Sequence, residues 1–405
     1  MLILGIESSC DDTSVALLDC SDQGHVVLSE KTASQIDIHK KYGGVVPEIA
    51  GRMHAEKIVP LVEEVLSSRQ PAVGQTSPSL SLERRGNQLL RPDAIAVTAG
   101  PGLITGLVVG VEAAKTLSYA WNIPLVAVNH IEGHIHSVEI SNSQFSISKQ
   151  LPNNQNNNVT IEQLNNKTIN RFPALCLVVS GGHTELILMR DHGDYKILGR
   201  TKDDATGECF DKVAKLLGLP YPGGPQISKL AETGRIDAID FPRPMLNQDN
   251  FEFSFAGLKT SALYWLRDNP LSATPMQLFD LPAGIFGQQK NPATINDFCA
   301  SFEQAIIDVL VGKTLRAIDE MKPKTVILAG GVSANKKLRQ TLGEAISTQL
   351  PDTLYLIPDT KYAMDNGAMI AVAGYYHALK KEFVDWKEIE VNPNWRIDTP
   401  MRSVI

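Results

Sequence analysis

The stretch Ile123-Pro-Leu-Val-Ala-Val-Asn-His130-Ile-Glu-Gly-His134 joins an apolar run to a pair of histidines. The run indicates a buried strand, and a helix that begins directly after it would carry both imidazoles on one face, because they are four residues apart. The carboxyl end of a strand in a parallel sheet is where such folds hold ligands. With one carboxylate from elsewhere in the chain, the two imidazoles would form an open site for a divalent metal ion.

The histidine pair also has a second interpretation, as two surface residues on a polar helical turn, because HxxxH arises often by accident. Gly133 favours the metal site, since a glycine costs a helix about 1 kcal/mol relative to alanine and its presence there needs a structural reason. The zinc-protease motif has its glutamate directly after the first histidine. Here Glu132 is the second residue after His130, so the spacing does not favour hydrolysis by a glutamate-activated water.

Outward from this stretch, the chain repeats one order of elements. Three short strands open the chain and strand–helix alternation follows, which indicates a mixed sheet with helices on its faces. The second half has a similar order, with a hairpin at Ala174–Ser180 and Glu185–Met189, a helix at Asp203–Gly218 and a strand at Thr325–Ala329. The predicted fold class is therefore α/β: a duplicated nucleotide-binding architecture with a cleft between two lobes.

The length of 405 residues suggests two or three domains. We predict a first lobe at residues 1–130 and a second lobe at 131–365, and the small-residue helix at about 366–380 is expected to pack back on the first lobe. Three polar segments, at about 70–92, 141–171 and 270–293, are predicted to be insertions.

Composition narrows the functional classes. The net charge of −7 gives no whole-chain attraction for nucleic acid, so RNA binding would need a local patch, such as the basic stretch from Lys31 to Lys57, or a partner. The five cysteines are scattered without a CxxC pair, which implies neither a disulfide framework nor a thiolate zinc site. There is no run of about 18 apolar residues and no signal-peptide pattern. We therefore expect a cytoplasmic protein without a membrane span.

Glycine pairs follow apolar segments at four places, where they would let backbone N–H groups approach phosphate oxygens. Any one of them is also explained by tight-turn packing, but four in one chain indicate a nucleotide cleft. Neither a P-loop nor a Rossmann fingerprint is present. The four turns are Ala99-Gly-Pro-Gly102, Ser180-Gly-Gly182, Pro222-Gly-Gly-Pro225 and Ala329-Gly-Gly-Val332.

These turns belong to a longer series of motifs that resembles the TsaD/Kae/YgjD family, formerly called O-sialoglycoprotein endopeptidase. The motifs cover nearly the whole chain outside the three insertions. The resemblance implies the actin/sugar-kinase/Hsp70 (ASKHA) fold, with two lobes around a nucleotide cleft. The motifs are Gly5-Ile-Glu-Ser-Ser-Cys-Asp-Asp-Thr13, Tyr42-Gly-Gly-Val-Val-Pro-Glu48, Thr98-Ala-Gly-Pro-Gly102, Asn129-His-Ile-Glu-Gly-His134, Val179-Ser-Gly-Gly-His-Thr184, Phe210-Asp-Lys-Val-Ala-Lys215, Tyr221-Pro-Gly-Gly-Pro225, Phe253-Ser-Phe-Ala-Gly-Leu-Lys-Thr260, Gly330-Gly-Val-Ser-Ala-Asn335 and Asp365-Asn-Gly-Ala-Met369.

The resemblance also implies an activity. The family transfers a threonylcarbamoyl group from threonylcarbamoyl-AMP to the exocyclic amine of the adenosine next to the anticodon, in tRNAs that read codons beginning with A, and releases AMP. A divalent metal ion, Fe²⁺ or Zn²⁺, would assist the acyl transfer. ATP or threonylcarbamoyl-AMP is the expected nucleotide ligand. The expected partners are tRNA, a shorter TsaB-like paralogue of the same fold, a small TsaE-like P-loop ATPase and the synthase that supplies threonylcarbamoyl-AMP.

Carried over position by position, the resemblance gives a set of site residues. The metal ligands would be His130, His134 and Asp365. Asp11 would face phosphate and metal and is the candidate proton acceptor. His183 is interpreted as a turn residue of the hairpin. The nucleotide-binding residues would be Val178, Val179, Ser180, Gly181, Gly182, Asp211, Gly224 and Asn335.

Three other functions compete with acyl transfer: an ATP-dependent kinase of the same fold, a metalloprotease, and a non-catalytic ATP-binding scaffold. A kinase would need a catalytic aspartate beside a sugar pocket and no metal-binding histidine pair. The position of Glu132 argues against a protease. A scaffold would not need a tightly held metal ion.

Overall fold

The chain forms two mixed sheets with helices on their faces, in a computed structural model that describes residues 1–67, 90–141, 146–148, 158–160, 171–271 and 293–400. The first sheet has six strands in the spatial order β5-β4-β1-β2-β3-β6. Strands β1, β2 and β3 are antiparallel neighbours, whereas β4 and β5 run parallel to β1. The strands are β1 (Leu2–Glu7), β2 (Asp12–Ser21), β3 (Gly24–Ser34), β4 (Ala94–Gly100), β5 (Leu125–Asn129) and β6 (Ile140–Ser141).

The second sheet repeats this arrangement. Its five strands have the order β11-β10-β9-β12-β13, with three antiparallel neighbours followed by two parallel ones. The predicted duplication is thereby confirmed. A short pair, β7 (Ser146–Ser148) and β8 (Asn158–Thr160), lies apart from both sheets. The strands of the second sheet are β9 (Ala174–Val179), β10 (Thr184–Asp191), β11 (Asp194–Arg200), β12 (Thr325–Ala329) and β13 (Leu354–Leu356).

Helices cover both sheets, and none among the described residues is long and apolar enough to cross a membrane. Short 3₁₀ turns occur at Lys40–Tyr42, Ser137–Glu139 and Gly331–Ala334. The α-helices are α1 (Ile36–His39), α2 (Pro47–Ser67), α3 (Ile104–Trp121), α4 (His130–His136), α5 (Thr206–Leu216), α6 (Gly223–Ala231), α7 (Ala256–Asp268), α8 (Ile295–Met321), α9 (Lys336–Gln349), α10 (Thr360–Ala363) and α11 (Gly367–Leu379).

Helix α11 packs directly on the first sheet, because glycine and alanine leave no side chain between the two backbones. A Cβ on Gly5 would lie 2.0 Å from the Gly367 carbonyl oxygen, and one on Gly367 would lie 2.7 Å from the Ala16 nitrogen. The apolar face of α11 is buried against Ile3, Ala16 and their neighbours. This contact fixes the loop just before α11, which carries Asp365.

Helix α4 connects the two sheets. It begins directly after β5 of the first sheet, while Ile131 and Ile135 pack into the core of the second sheet. Gly133 faces α11, where a Cβ would lie 2.7 Å from Ile370 Cδ1 and 3.2 Å from Met369 Cγ. The glycine is therefore explained by close helix packing, which outweighs its low helix propensity.

Several elements differ from the sequence-based expectations, and the domain boundaries remain predictions. The sequence does not predict strand β11, an edge strand in which charged residues and residues with apolar side chains alternate only over its first four positions. At α6 the sequence predicts only a glycine turn, because the helix begins Gly-Gly-Pro. Of the predicted insertions, residues 70–89, 142–145, 149–157, 161–170 and 272–292 lie outside the described residues. Within the second predicted insertion, Asn158 begins β8.

Candidate metal centre and nucleotide cleft

The structure brings His130, His134 and Asp365 together. Each residue offers one ligand atom, and these atoms lie within 4.8 Å of one another. Asp365 Oδ1 lies 3.6 Å from His130 Nε2 and 3.3 Å from His134 Nε2. Both imidazoles are buried, whereas 20 % of the Asp365 side chain is exposed, so the site opens on the carboxylate side.

The donor set fits a divalent metal ion. His134 has both ring nitrogens buried without a hydrogen-bond partner among the described residues, which is costly unless a ligand is present. Burial alone would favour neutral Asp365, but His130 and His134 hold the pKa of this carboxyl below its ordinary value. Two imidazoles and one carboxylate leave coordination positions open, as catalytic metal sites require.

Glu7 was not singled out by the sequence analysis, yet it contacts the metal-site residue His130. It ends β1, is fully buried, and its Oε2 atom lies 3.1 Å from His130 Nδ1. Burial opposes the charged form of His130, but Glu7 and Asp365 outweigh it and raise the pKa of His130 to about 9. The signal that was available is an acidic residue that closes the apolar strand Leu2–Glu7.

Glu132 lies on α4 between the two histidines but is bonded elsewhere. Its carboxylate accepts hydrogen bonds from the Tyr195 hydroxyl (3.0 Å) and from His377 Nε2 (2.8 Å). Burial opposes ionisation, but His377 holds the pKa of Glu132 below its ordinary value. Glu132 is therefore a structural ion partner, which removes the residue that a metalloprotease would use to activate water.

Asp11 lies in the turn between β1 and β2, close to the metal-site carboxylate. Burial, together with the charge of Asp365, raises the pKa of Asp11. Its Oδ2 atom lies 3.5 Å from the hydroxyl of Tyr221, which directly precedes the Pro222-Gly-Gly-Pro225 turn. Asp11 thus links the metal centre to a glycine turn at the start of α6.

The predicted nucleotide-binding run Val178–Gly182 divides into two parts. The side chains of Val178 and Val179 are buried in hydrophobic cores, so only their backbone can meet a ligand. Gly181 and Gly182 are exposed, with open space where a Cβ would stand. His183 follows them, its ring 6.3 Å from that of His130, and burial lowers the pKa of His183 to about 3.

Asp211 and Gly224 meet at the start of α6. Asp211 Oδ1 accepts a hydrogen bond from the Gly223 N–H at 2.6 Å, and so supplies the cap that the local sequence of α6 lacks. A Cβ on Gly224 would lie 3.8 Å from Phe210 Cβ, in ordinary van der Waals contact. Burial raises the pKa of Asp211 despite the hydrogen bonds that it accepts from the Gly223 and Gly224 backbone.

The side chain of Asn335 is already bonded within the chain. Its Oδ1 accepts from the Leu338 N–H at 2.8 Å and so caps α9. Its Nδ2 donates to Ser228 Oγ at 2.9 Å and to Glu303 Oε1 at 2.7 Å. A nucleotide contact by Asn335 would therefore replace one of these bonds or act through Glu303.

A second histidine–carboxylate group, His136, Glu139 and His192, has ligand atoms within the same distance of one another. Arg171 lies against Glu139 at 3.3 Å and also bonds His192. The guanidinium already provides the cation for this carboxylate, and both nitrogens of His136 have partners. The group is a poor metal site, because a metal ion would meet the charge of Arg171.

The duplicated sheets define a two-lobe ASKHA protein, and it has a candidate metal site beside glycine turns. The fold is similar to two HypF structures at 13 % identity: full-length HypF in the phosphate- and nucleotide-bound form (TM-score 0.50, 94 % of this chain and 55 % of that chain) and T. kodakarensis HypF (TM-score 0.51, 96 % and 49 %). The chain thus spans about half the length of either HypF, and the likeness concerns the fold alone.

Sequence relatives identify the family. The family described as "TsaD: tRNA N6-adenosine threonylcarbamoyltransferase" matches residues 26–148 and 156–372. Proteins of that name from Bacillus subtilis strain 168 (44 % identity, 92 % of this chain and 90 % of the relative) and Geotalea uraniireducens strain Rf4 (41 %, 98 % and 97 %) are similar over most of both chains. The chain belongs to the TsaD family of tRNA N6-adenosine threonylcarbamoyltransferases and is a transferase.

Proposed function

We propose that this chain transfers the threonylcarbamoyl group of threonylcarbamoyl-AMP to the exocyclic amine of the adenosine beside the anticodon, in tRNAs that read codons beginning with A. The products are the modified tRNA and AMP. The observation that carries the proposal is the convergence of His130, His134 and Asp365 beside Asp11 and glycine turns, in a chain of this family. An open metal site next to a nucleotide cleft suits acyl transfer from an adenylate.

His130, His134 and Asp365 would hold one divalent metal ion, with Fe²⁺ preferred and Zn²⁺ as the alternative. When bound, the ion supplies positive charge for oxygen atoms that become more negative as the mixed anhydride is attacked. Because 20 % of the Asp365 side chain is exposed and both imidazoles are buried, the substrate approaches from the side of Asp365. The buried face of α4 excludes water behind the histidines.

The nucleotide, as ATP or threonylcarbamoyl-AMP, would lie along Ser180–Gly182, where the exposed glycines let backbone N–H groups reach phosphate oxygens. Asp211 and Gly224 would form the side of the site nearest α6. Asn335 holds Glu303 and the start of α9 in place.

Asp11 is the proposed acceptor for the proton that the attacking amine loses. A general base works best when its pKa is near the ambient pH, and burial moves the pKa of Asp11 upward in that direction. The Tyr221 hydroxyl, 3.5 Å from Asp11 Oδ2, would orient this carboxylate.

The proposed setting is the cytoplasm, with tRNA and protein partners. A net charge of −7 provides little general attraction for a polyanion. Part of the basic stretch is already neutralised, since Lys31 pairs with Glu64 and Lys40 with Asp37. A TsaB-like paralogue and a TsaE-like ATPase would supply the remaining tRNA surface and support turnover, and a synthase would supply threonylcarbamoyl-AMP.

Reconstitution tests the proposal. The chain is incubated with the paralogue, the ATPase, the synthase, tRNA, threonine, bicarbonate and ATP. The tRNA is then digested and its nucleosides are identified by mass spectrometry. We expect threonylcarbamoyladenosine only when the chain is present. Its absence, with partners that are active alongside another family member, would refute the proposal. Transfer of phosphate from ATP to a small molecule would favour the kinase instead.

A further inference from the structure

The buried carboxylate of Glu7, at the carboxyl end of β1, lies behind the metal centre. Three donors converge on it. Oε1 accepts from the Ser9 N–H at 2.6 Å, and Oε2 accepts from the Thr98 hydroxyl at 2.6 Å and lies 3.1 Å from His130 Nδ1. A fully buried carboxylate needs such partners, because burying it unpaired costs several kcal/mol.

Two of the three donors are neutral and lie within or next to strands of the first sheet. Ser9 starts the turn after β1, and Thr98 is a buried residue of β4. These two hydrogen bonds hold the Glu7 carboxylate in place whether or not a metal ion is bound. Glu7 is therefore a preset acceptor against which His130 must align.

We propose that Glu7 is a positioning residue of the metal centre, which holds the proton of His130 on Nδ1 and so presents Nε2 to the metal ion. Nε2 is the nitrogen that faces Asp365, at 3.6 Å. Carboxylate–histidine–metal arrangements of this kind fix the ring orientation and raise the basicity of the ligand. The inference rests on the proposed metal site and adds a residue that does not touch the ion.

The two histidines are supported unequally. His130 Nδ1 lies 3.1 Å from both Glu7 Oε2 and Ser9 Oγ, whereas His134 Nδ1 has no hydrogen-bond partner among the described residues. His130 is accordingly the anchored ligand. Without the Glu7 carboxylate, neither His130 nor His134 would be held in one tautomer. The metal-free site would then have a smaller fraction of molecules with both Nε2 atoms ready to bind the ion.

The test measures Zn²⁺ affinity by competition with a chromophoric chelator, using the full chain. Glu7→Gln keeps the size of the side chain but removes its charge, and we expect Zn²⁺ to bind about 10–100-fold more weakly. Glu132→Gln is the matched control: it alters an equally buried glutamate between the two histidines, whose carboxylate faces Tyr195 and His377. We expect it to lower the melting temperature of the metal-free chain while the Zn²⁺ affinity stays within about threefold.

Thr98→Val provides a second variant should Glu7→Gln fail to fold. It removes one donor that fixes Glu7 without touching His130, and a loss of about 3–10-fold in Zn²⁺ affinity is expected from one hydrogen bond. Equal Zn²⁺ affinity in the wild type, Glu7→Gln and Thr98→Val, or an equal loss in Glu132→Gln, would overturn the positioning role alone. A wild-type chain that binds no Zn²⁺ and no Fe²⁺ would overturn the metal site and the inference together.

Discussion

Replacing Asn335 by alanine removes three interactions at once. The variant loses the cap of α9 from Oδ1 to the Leu338 N–H, and both bonds from Nδ2, to Ser228 and Glu303. An N-cap contributes about 1 kcal/mol. A hydrogen bond to a charged group contributes about 1.5–3 kcal/mol, and the buried Glu303 carboxylate would lose this donor. We therefore expect Asn335→Ala to lower the free energy of unfolding by about 3 kcal/mol or somewhat more.

Two controls separate these contributions. Thr294→Ala removes the comparable cap of α8, where the threonine hydroxyl accepts from the Asp297 N–H at 3.1 Å. The same hydroxyl donates to Asp297 Oδ2 at 3.0 Å, so the substitution should cost about 1–2 kcal/mol, still less than Asn335→Ala. Asn335→Asp keeps a capping oxygen but places a carboxylate where Nδ2 met Glu303. It should therefore be as destabilising as alanine, although aspartate is a good N-cap.

The assay is urea unfolding followed by circular dichroism, combined with calorimetric titration of ATP. Asn335→Ala should weaken ATP binding by about 1–3 kcal/mol, because Glu303 and the start of α9 lose their support beside the proposed cleft. Thr294→Ala should leave ATP affinity unchanged. Equal destabilisation by Asn335→Ala and Thr294→Ala would contradict the role of the Nδ2 bonds, and unchanged ATP affinity in Asn335→Ala would contradict its place at the nucleotide site.

Three further predictions follow from the same geometry. His134→Ala should abolish metal binding while the circular dichroism spectrum is kept; elemental analysis that finds one metal ion per chain in the variant would contradict this. Burial raises the pKa of Asp12 to about 7, so protonation of this carboxyl favours the folded state, and that contribution is lost as the pH rises through about 7. Between pH 5 and pH 8 the free energy of unfolding should therefore fall less for Asp12→Asn than for the wild type. An equal fall in the two proteins would contradict the burial of this carboxyl. The lone chain should bind tRNA weakly, and Lys41→Glu should weaken binding further and lower the salt dependence; tight binding by the lone chain at physiological salt, measured by filter retention, would refute this expectation.

The three candidate metal ligands were not equally predictable from the sequence. Spacing alone placed His130 and His134 on one helical face, because the 3.6-residue period fixes the relation of positions four apart. Asp365 follows them by more than two hundred residues, and only the family resemblance assigned it. Glu7 was missed because a single acidic residue has no spacing pattern, and its partners Thr98 and His130 come from β4 and α4.

The same distinction applies to the fold: elements with a clear pattern in their own sequence were predicted, and elements fixed by contacts with distant residues were missed. Strand β12 has the predicted bounds, because its apolar pattern is sharply bounded. Helix α6 was missed because its N-terminus is capped by Asp211 of α5, which no local sequence rule can show. Strand β11 was missed because an edge strand needs little apolar sequence, and its place is set by pairing with β10.

The most direct test of the account supplies threonylcarbamoyl-AMP itself to the metal-loaded chain with tRNA and the paralogue, in the absence of ATP, and measures AMP and modified adenosine in a single turnover. We expect the two products to form in equal amounts with the wild type, and neither to form with His134→Ala. Modified adenosine formed at the wild-type rate by a His134→Ala chain shown to be metal-free would contradict the role of the metal centre. Release of AMP without modified adenosine would contradict acyl transfer to tRNA.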